Sequence, residues 1–419
     1  MKKKAIIVII IVLALLISGL LSVKPIKSNM AEKWLNEGIM LYDSGRYENA
    51  AMAFEKAINL KKNNIEAILN LSKTQLNMQL NAEALQNAEK AILLNPQLAE
   101  AFSVCGEVNI KLGQYAEAIG FFNKAIELDT SIAEAYYYRG VAKANLGELE
   151  ASLADYKKAQ LLDATNKKYL ESGLIVRTRL NDYSGIIKDY NKLIELDPSN
   201  TEAFYQRGFF KYSLDDFEGA IADFDNALKL DNKMGKAYYY RGLSSAKNGK
   251  LEDAAYYFNE SAKVDYKAHE SFFNAGLAYL RLKKTNDARK ALENCIKADN
   301  KGPKTTDAHI NLGALELMNS NFEKAIQIYS ALLKTNNKNT DALFNRAFAY
   351  SSIKKTGEAI SDLDKCIGLG RNTPDVYYLR GVQYISRSDF KTGCADIKQA
   401  AEGGHQEAKN MVGTYCKNF

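Results

Sequence analysis

A spacing of 34 residues governs this chain. A small residue inside an apolar stretch, followed seven residues later by a turn residue, returns in one phase from residue 31 to the C-terminus. Units begin at Ala31, Ile65, Ala99, Ala133, Lys167, Thr201, Gly235, His269, Thr306, Thr340 and Pro374, and a half-unit begins at Gln406. Two intervals depart from the period: a three-residue excess around Lys301-Gly302-Pro303, and a two-residue deficit before Gln406. A repeat of this length is one supersecondary unit that buries its apolar face only against its neighbours, which excludes a conventional single-core domain.

Within a unit, large and small residues hold fixed places. In the first, Trp34, Gly38 and Leu41 fall on one series, and Tyr47, Ala50, Phe54 and Ala57 on another. Steps of three and four put each series on one face of an α-helix, so every unit is expected to be two amphipathic helices. The turn between them falls at position 15, where Gly45, Gly113, Gly147 and Gly249 alternate with Asn181 and Asp215. These residue types tolerate the left-handed backbone that ends a helix. Position 8 is Gly in most units (Gly106, Gly140, Gly208, Gly242 among them), while position 24 carries rings such as Phe122, Phe224 and Phe258. Small against large predicts a closely approached hairpin. Unit five departs with Leu174 at position 8, and unit eight with Lys283 at the turn.

This pattern resembles the tetratricopeptide repeat, and the likeness covers essentially everything from Ala31 onward. The run Ala220 to Asp231 looks like the family's second helix, whereas the closing Pro of the family survives only as Pro96 and Pro198. The resemblance implies an all-α, right-handed superhelical solenoid of about eleven helix-turn-helix repeats with a C-terminal capping helix. The expected division is 1–30 (a Lys-bearing tip, an apolar segment and a linker), 31–305 (repeats one to eight), 306–405 (repeats nine to eleven) and 406–419 (the cap).

Charge helps to narrow the function. The formal net charge is +6, from 56 basic and 50 acidic residues. Five lysines and no acid lie in the first thirty residues, leaving 51 basic and 50 acidic residues after them. The repeats are nearly neutral and show no basic stripe, so no nucleic-acid partner is expected. Ala5 to Val23 is free of charge, and as a helix it would measure about 28 Å, enough to cross a bilayer. Lys2, Lys3 and Lys4 before it place the N-terminus in the cytoplasm and the repeats on the opposite side, in a bacterial periplasm or envelope as the working choice. A cleaved leader releasing a soluble exported protein is the alternative, although no small-x-small site ends the apolar run and no Cys follows it.

Nothing in the sequence assembles chemistry. His269, His309 and His405 are scattered without acid or Cys at ligand spacing, and there is no phosphate loop, dinucleotide fingerprint or nucleophile elbow. No cofactor, metal or small-molecule substrate is expected, and no enzyme activity. Cys105, Cys295 and Cys366 sit at core positions. Cys394, on the last complete hairpin, and Cys416, on the cap, are a candidate disulfide.

Comparing the units with one another yields one further expectation. Arg stands at position 7 in five units (Arg139, Arg207, Arg241, Arg346, Arg380), and four of these have Asp at position 23: Asp155, Asp223, Asp362 and Asp396. A planar guanidinium suits a fixed carboxylate, so each Arg is expected to pair with the Asp sixteen residues on, as a structural rather than a ligand contact. Among the other six complete units only one has Asp at position 23, as Asp189.

The family commonly binds an extended peptide or a partner helix on its concave face, through first-helix positions 2, 5, 9, 12 and 13. Carried onto this chain, position 5 is Tyr137, Tyr205, Tyr239, Phe273, Phe344 and Tyr378, supplemented by Phe209, Tyr212 and Phe348. Position 2 is acidic in ten of twelve units. The expected groove is aromatic with acidic spots and binds a protein or peptide. Two plainer readings stand beside it: position-5 rings packing between adjacent first helices, and acids complementing helix dipoles. No basic clamp for a terminal carboxylate is expected, since position 5 carries no Lys or Arg. A passive spacer contacting partners only at its ends is the rival function.

Overall fold

The computed structural model describes residues 27–417. The apolar segment 5–23 lies outside the described residues, and no helix within them is long and apolar enough to cross a membrane. The described residues are helical throughout, without strands, and divide by compactness into a unit ending at Pro198 and a unit starting at Ser199.

Each 34-residue repeat forms a helical hairpin. Residues 27–43 are helical and pair with Tyr47–Leu60. Repeat four comprises Ala133–Leu146 and Leu149–Leu162, and repeat six comprises Thr201–Ser213 and Phe217–Leu230. A closing helix, Gln406–Tyr415, follows the eleventh hairpin.

The hairpins close because a missing side chain makes room for a ring. A β-carbon added to Gly38 would lie 2.5 Å from Phe54, on Gly106 2.6 Å from Phe122, on Gly140 2.8 Å from Tyr156, and on Gly208 2.9 Å from Phe224. Phe54, Phe122 and Phe224 are fully buried in return, as are the corresponding Tyr329, Leu363 and Ile397.

The turn is more uniform than its residues. Position 15 has a left-handed backbone in all eleven repeats, at Gly45, Gly113, Gly147 and Gly249 and also at Gln79, Asn181, Asp215, Lys283, Ser320, Lys354 and Ser388. Lys283, which the sequence marks as a departure, adopts φ +59° and keeps the repeat boundary. Packing on both sides of the turn outweighs a strain of order 1–2 kcal/mol.

The three extra residues at 301–303 are absorbed by His269. Its Nε2 accepts from the Lys304 amide at 3.0 Å, and its Nδ1 lies 3.1 Å from the Cys295 carbonyl, fixing the loop between repeats eight and nine.

Candidate functional site

Two layers of contact decide which first-helix residues remain open. The inner one is a guanidinium clasp. Arg139 donates from Nη2 to Asp155 Oδ1 at 2.6 Å and from Nε to Oδ2 at 2.9 Å. Arg207 holds Asp223 at 2.5 and 2.9 Å, Arg346 holds Asp362 at 2.8 and 2.7 Å, and Arg380 holds Asp396 at 2.8 Å through both nitrogens. The four carboxylates are buried. Bidentate geometry makes these pairs structural, and it uses up the face of the guanidinium a ligand would need.

The clasp also reaches backward, which the sequence comparison did not anticipate. Nη1 of Arg139 donates to Asn123 at 2.8 Å, that of Arg346 to Ser330 at 2.9 Å, and that of Arg380 to Asp364 at 2.7 Å, in each case at position 25 of the preceding repeat. Arg241 has no Asp at position 23. It pairs with Asp225, again position 25, at 2.9 Å, and lies over the Tyr257 ring. One arginine thus ties two helices of its own hairpin to the hairpin before.

The outer layer covers the position-5 rings. Tyr137, Tyr205, Tyr239 and Phe273 retain only 6 to 8% of their surface, and Phe344 and Tyr378 are half-buried. Each is capped by a basic residue from the start of the next repeat. Lys168 lies 4.7 Å from the Tyr137 ring centre, Lys236 4.2 Å from Tyr205, Lys267 4.9 Å from Tyr239, Lys304 5.5 Å from Phe273, and Arg371 4.7 Å from Phe344. His405 stacks on Tyr378 at 4.1 Å.

Four of those cations also bind the position-2 acids. Lys236 reaches Glu202 at 2.7 Å, Lys267 Glu270 at 3.4 Å, Lys304 Asp307 at 3.6 Å, and Arg371 Asp341 at 2.6 Å. The position-5 rings are therefore engaged in packing between repeats, and Glu202, Glu270, Asp307 and Asp341 are held by the cations that cap them. The capping cations were visible in the sequence as a basic residue at every junction that follows an aromatic position 5. Their meaning was not, because cation and ring lie about one repeat apart.

Position 9 and its neighbours remain open. Phe348 is 45% exposed, and Met318 at position 13 is 83% exposed. Phe209 and Tyr212 are half-exposed and meet Tyr240 edge-on at 5.1 and 5.9 Å. Met318 was overlooked because the sequence reading sought rings. A large apolar side chain at a face-forming position was the available signal.

Chemistry is sparse among the described residues. Burial raises the thiols of Cys105 and Cys295 to about 12 and that of Cys366 to about 11, which suits apolar filling rather than nucleophilic work. No group of three or more His, Cys, Asp or Glu among the described residues could hold a metal ion. Cys394 and Cys416 are joined by a disulfide, with Cα atoms 5.4 Å apart, which staples the closing helix to the last hairpin. His309 is buried with Nδ1 2.8 Å from the Thr305 carbonyl, and His405 caps the closing helix by accepting from the Ala408 amide at 3.3 Å.

Comparison with known proteins agrees with this architecture. Tetratricopeptide-repeat family models match residues 31–64, 133–166, 211–267, 273–350 and 340–372, and a further TPR-repeat model matches 106–147. Among solved structures, the chain is similar to YrrB, described as a TPR protein with an unusual peptide-binding site: 21% identity, 47% of this chain and 97% of that one, TM-score 0.38. It is similar to MamA from Desulfovibrio magneticus RS-1, at 23% identity over 41% of this chain and 97% of that one, TM-score 0.37. Yeast Tom70 matches at 14% identity over 93% of this chain and 96% of that one, TM-score 0.35. No curated protein matches the sequence significantly. With a 34-residue period, eleven hairpins of matching build, and family models over more than half of its length, the chain belongs to the tetratricopeptide-repeat family.

Proposed function

We propose that this protein is a non-enzymatic docking platform that takes hold of a partner protein or peptide on its first-helix face and is tethered to a membrane by residues 5–23. One observation carries the docking reading. Beside the arginine clasps and capped rings, Met318 and Phe348 still face solvent, and Phe209 and Tyr212 stay partly exposed while packing on Tyr240. Rigid apolar side chains left open in this way are good anchors for a partner. The tether rests on the charge-free run Ala5 to Val23 and its flanking lysines. The Cys394–Cys416 bond supports repeats standing on an oxidising side, such as a bacterial periplasm or envelope.

Crosslinked full-length protein from native membranes, compared with a Phe209→Ser, Phe348→Ser variant of equal helicity, tests the docking face. A partner lost only from the variant is the expected result, and identical partner sets would replace docking by a spacer role. For the tether, alkaline carbonate extraction should leave the chain in the membrane pellet. Release into the supernatant would favour an exported soluble adaptor.

A further inference from the structure

Of five open hollows in the described residues, the one with the most one-sided charge lies away from the docking positions. It is an open hollow of about 610 Å³ formed by Phe322–Thr335, Thr340–Ser352 and Thr356–Gly368, on the second-helix side of repeats nine and ten. Lys334, Lys338, Lys365 and Arg346 line it, and no acid does. Four other hollows in the described residues each carry acids beside their bases, for example Asp43, Glu66 and Glu100 beside Lys73.

Arg346 is neutralised by Asp362, and the adjacent Asp364 is held by Arg380. The three lysines have no acidic partner at ion-pair distance among the described residues. They are exposed and converge on one hollow. Gathering like charges without counter-charge costs free energy, and an anionic ligand recovers it.

The floor narrows the ligand further. Leu333 and Leu343 are buried beneath the rim, and Leu369 at its edge is 41% exposed. A bare inorganic anion would leave Leu369 uncovered. A nucleic-acid strand would call for aromatic stacking, and no ring lines the hollow.

We propose that this hollow is a second binding site, for a short acidic peptide segment of a partner protein with one apolar side chain between carboxylates. The apolar side chain covers Leu369, the exposed leucine at the edge, while the carboxylates meet Lys334, Lys338 and Lys365. The site is independent of the first-helix face, since neither Phe348 nor Met318 lines it.

Fluorescence anisotropy of the purified full-length chain with a labelled Glu-Asp-Leu-Asp-Glu peptide tests the proposal. Saturable, salt-sensitive binding is expected. A Lys334→Glu, Lys338→Glu variant should bind about tenfold more weakly, and Leu369→Ser roughly fivefold more weakly. All these side chains are exposed, and equal helicity checks the fold. Phe348→Ser should bind as the wild type does, which separates this site from the docking face. Absence of saturable binding, binding indifferent to the lysine reversals, or equal affinity for a peptide with Ser in place of Leu would overturn the proposal. So would phosphatidylserine vesicles binding in a lysine-dependent way where the peptide does not.

Discussion

Repeats four and five stand next to each other in one compact unit and close the same hairpin by different means. In repeat four the small residue is Gly140, lying under the Tyr156 ring, and Asp155 is held by Arg139 and also by Lys143 at 2.8 Å. In repeat five glycine has moved back one place to Gly173, Leu174 occupies the usual glycine position, and a second glycine, Gly185, faces the arginine side chain. The arginine itself has moved forward one helical turn. Arg177 donates from Nε to Asp189 at 2.7 Å and pairs with Asp182 as well. Burial holds the Asp189 carboxyl above its ordinary range even with that partner. Where position 23 is Asp, its buried carboxylate requires a cation against it, and a step of four residues along a helix keeps the donor on the same face.

That contrast can be broken experimentally, most sharply at its single-donor end. Arg177→Ala strands a buried carboxylate whose only ion-pair partner among the described residues is Arg177, and should cost repeat five about 3 kcal/mol. Native-state hydrogen exchange along Lys167–Arg179 and Tyr183–Leu196 would read this locally; protection equal to wild type would show that the pair is not what closes the repeat. Gly140→Leu should cost repeat four about 2 kcal/mol by driving a side chain into the Tyr156 ring. Leu174→Gly should cost less, about 1 kcal/mol of helix propensity, since it adds no side chain to be accommodated. A reversed order in urea titrations would refute size complementarity as the source of closure.

Arg139→Ala should cost only about 1 kcal/mol, because Lys143 remains on Asp155. Adding Lys143→Ala should raise the loss toward that of Arg177→Ala, and simple additivity of two small effects would argue against a shared carboxylate.

A pH-dependent effect concerns position 2, which is Glu134 in repeat four and Lys168 in repeat five. Both face Glu107, whose carboxyl is raised to about 7, by burial first, with Lys73 opposing and Glu134 adding to the rise. A carboxyl raised in the fold binds its proton more tightly there than when unfolded. Stability therefore falls as pH climbs from about 4.5 toward 7 and is level above that. Glu107→Gln should melt a few degrees higher than wild type at pH 8 and coincide with it near pH 4.5. A constant difference across that range would rule out the titration.

The same pair of repeats shows how much was legible beforehand. Hairpin, period and ring-over-glycine packing were readable in repeat four because helical spacing places those residues on one face whatever surrounds them. Arg139 and Asp155 were readable as a recurring pair of types. In repeat five the Asp189 carboxylate was visible but its partner was missed, since the comparison followed Arg at position 7, although a basic residue recurs at the Arg177 position as Lys143 and Lys211, which also hold the position-23 carboxylates. The docking stripe suffered similarly: periodicity gathered Tyr205, Tyr239 and Phe209 into one series, but could not tell a ring beneath a lysine from a ring facing water.

Taken alone, the sequence determined the repeat length, the two helices per unit, the close approach at glycine and the candidate residues for clasp and disulfide. All of these depend on neighbours within one hairpin or on equivalent places in successive repeats. The tertiary structure decided the rest. It imposed a left-handed turn on Gln79, Lys283 and Ser320, tied the arginines to position 25 of the preceding repeat, roofed the position-5 rings with cations, and gathered Lys334, Lys338 and Lys365 around one hollow. Each of these depends on which surfaces stacking brings face to face, and a side chain's exposure is a property of its surroundings rather than of its own place in the repeat.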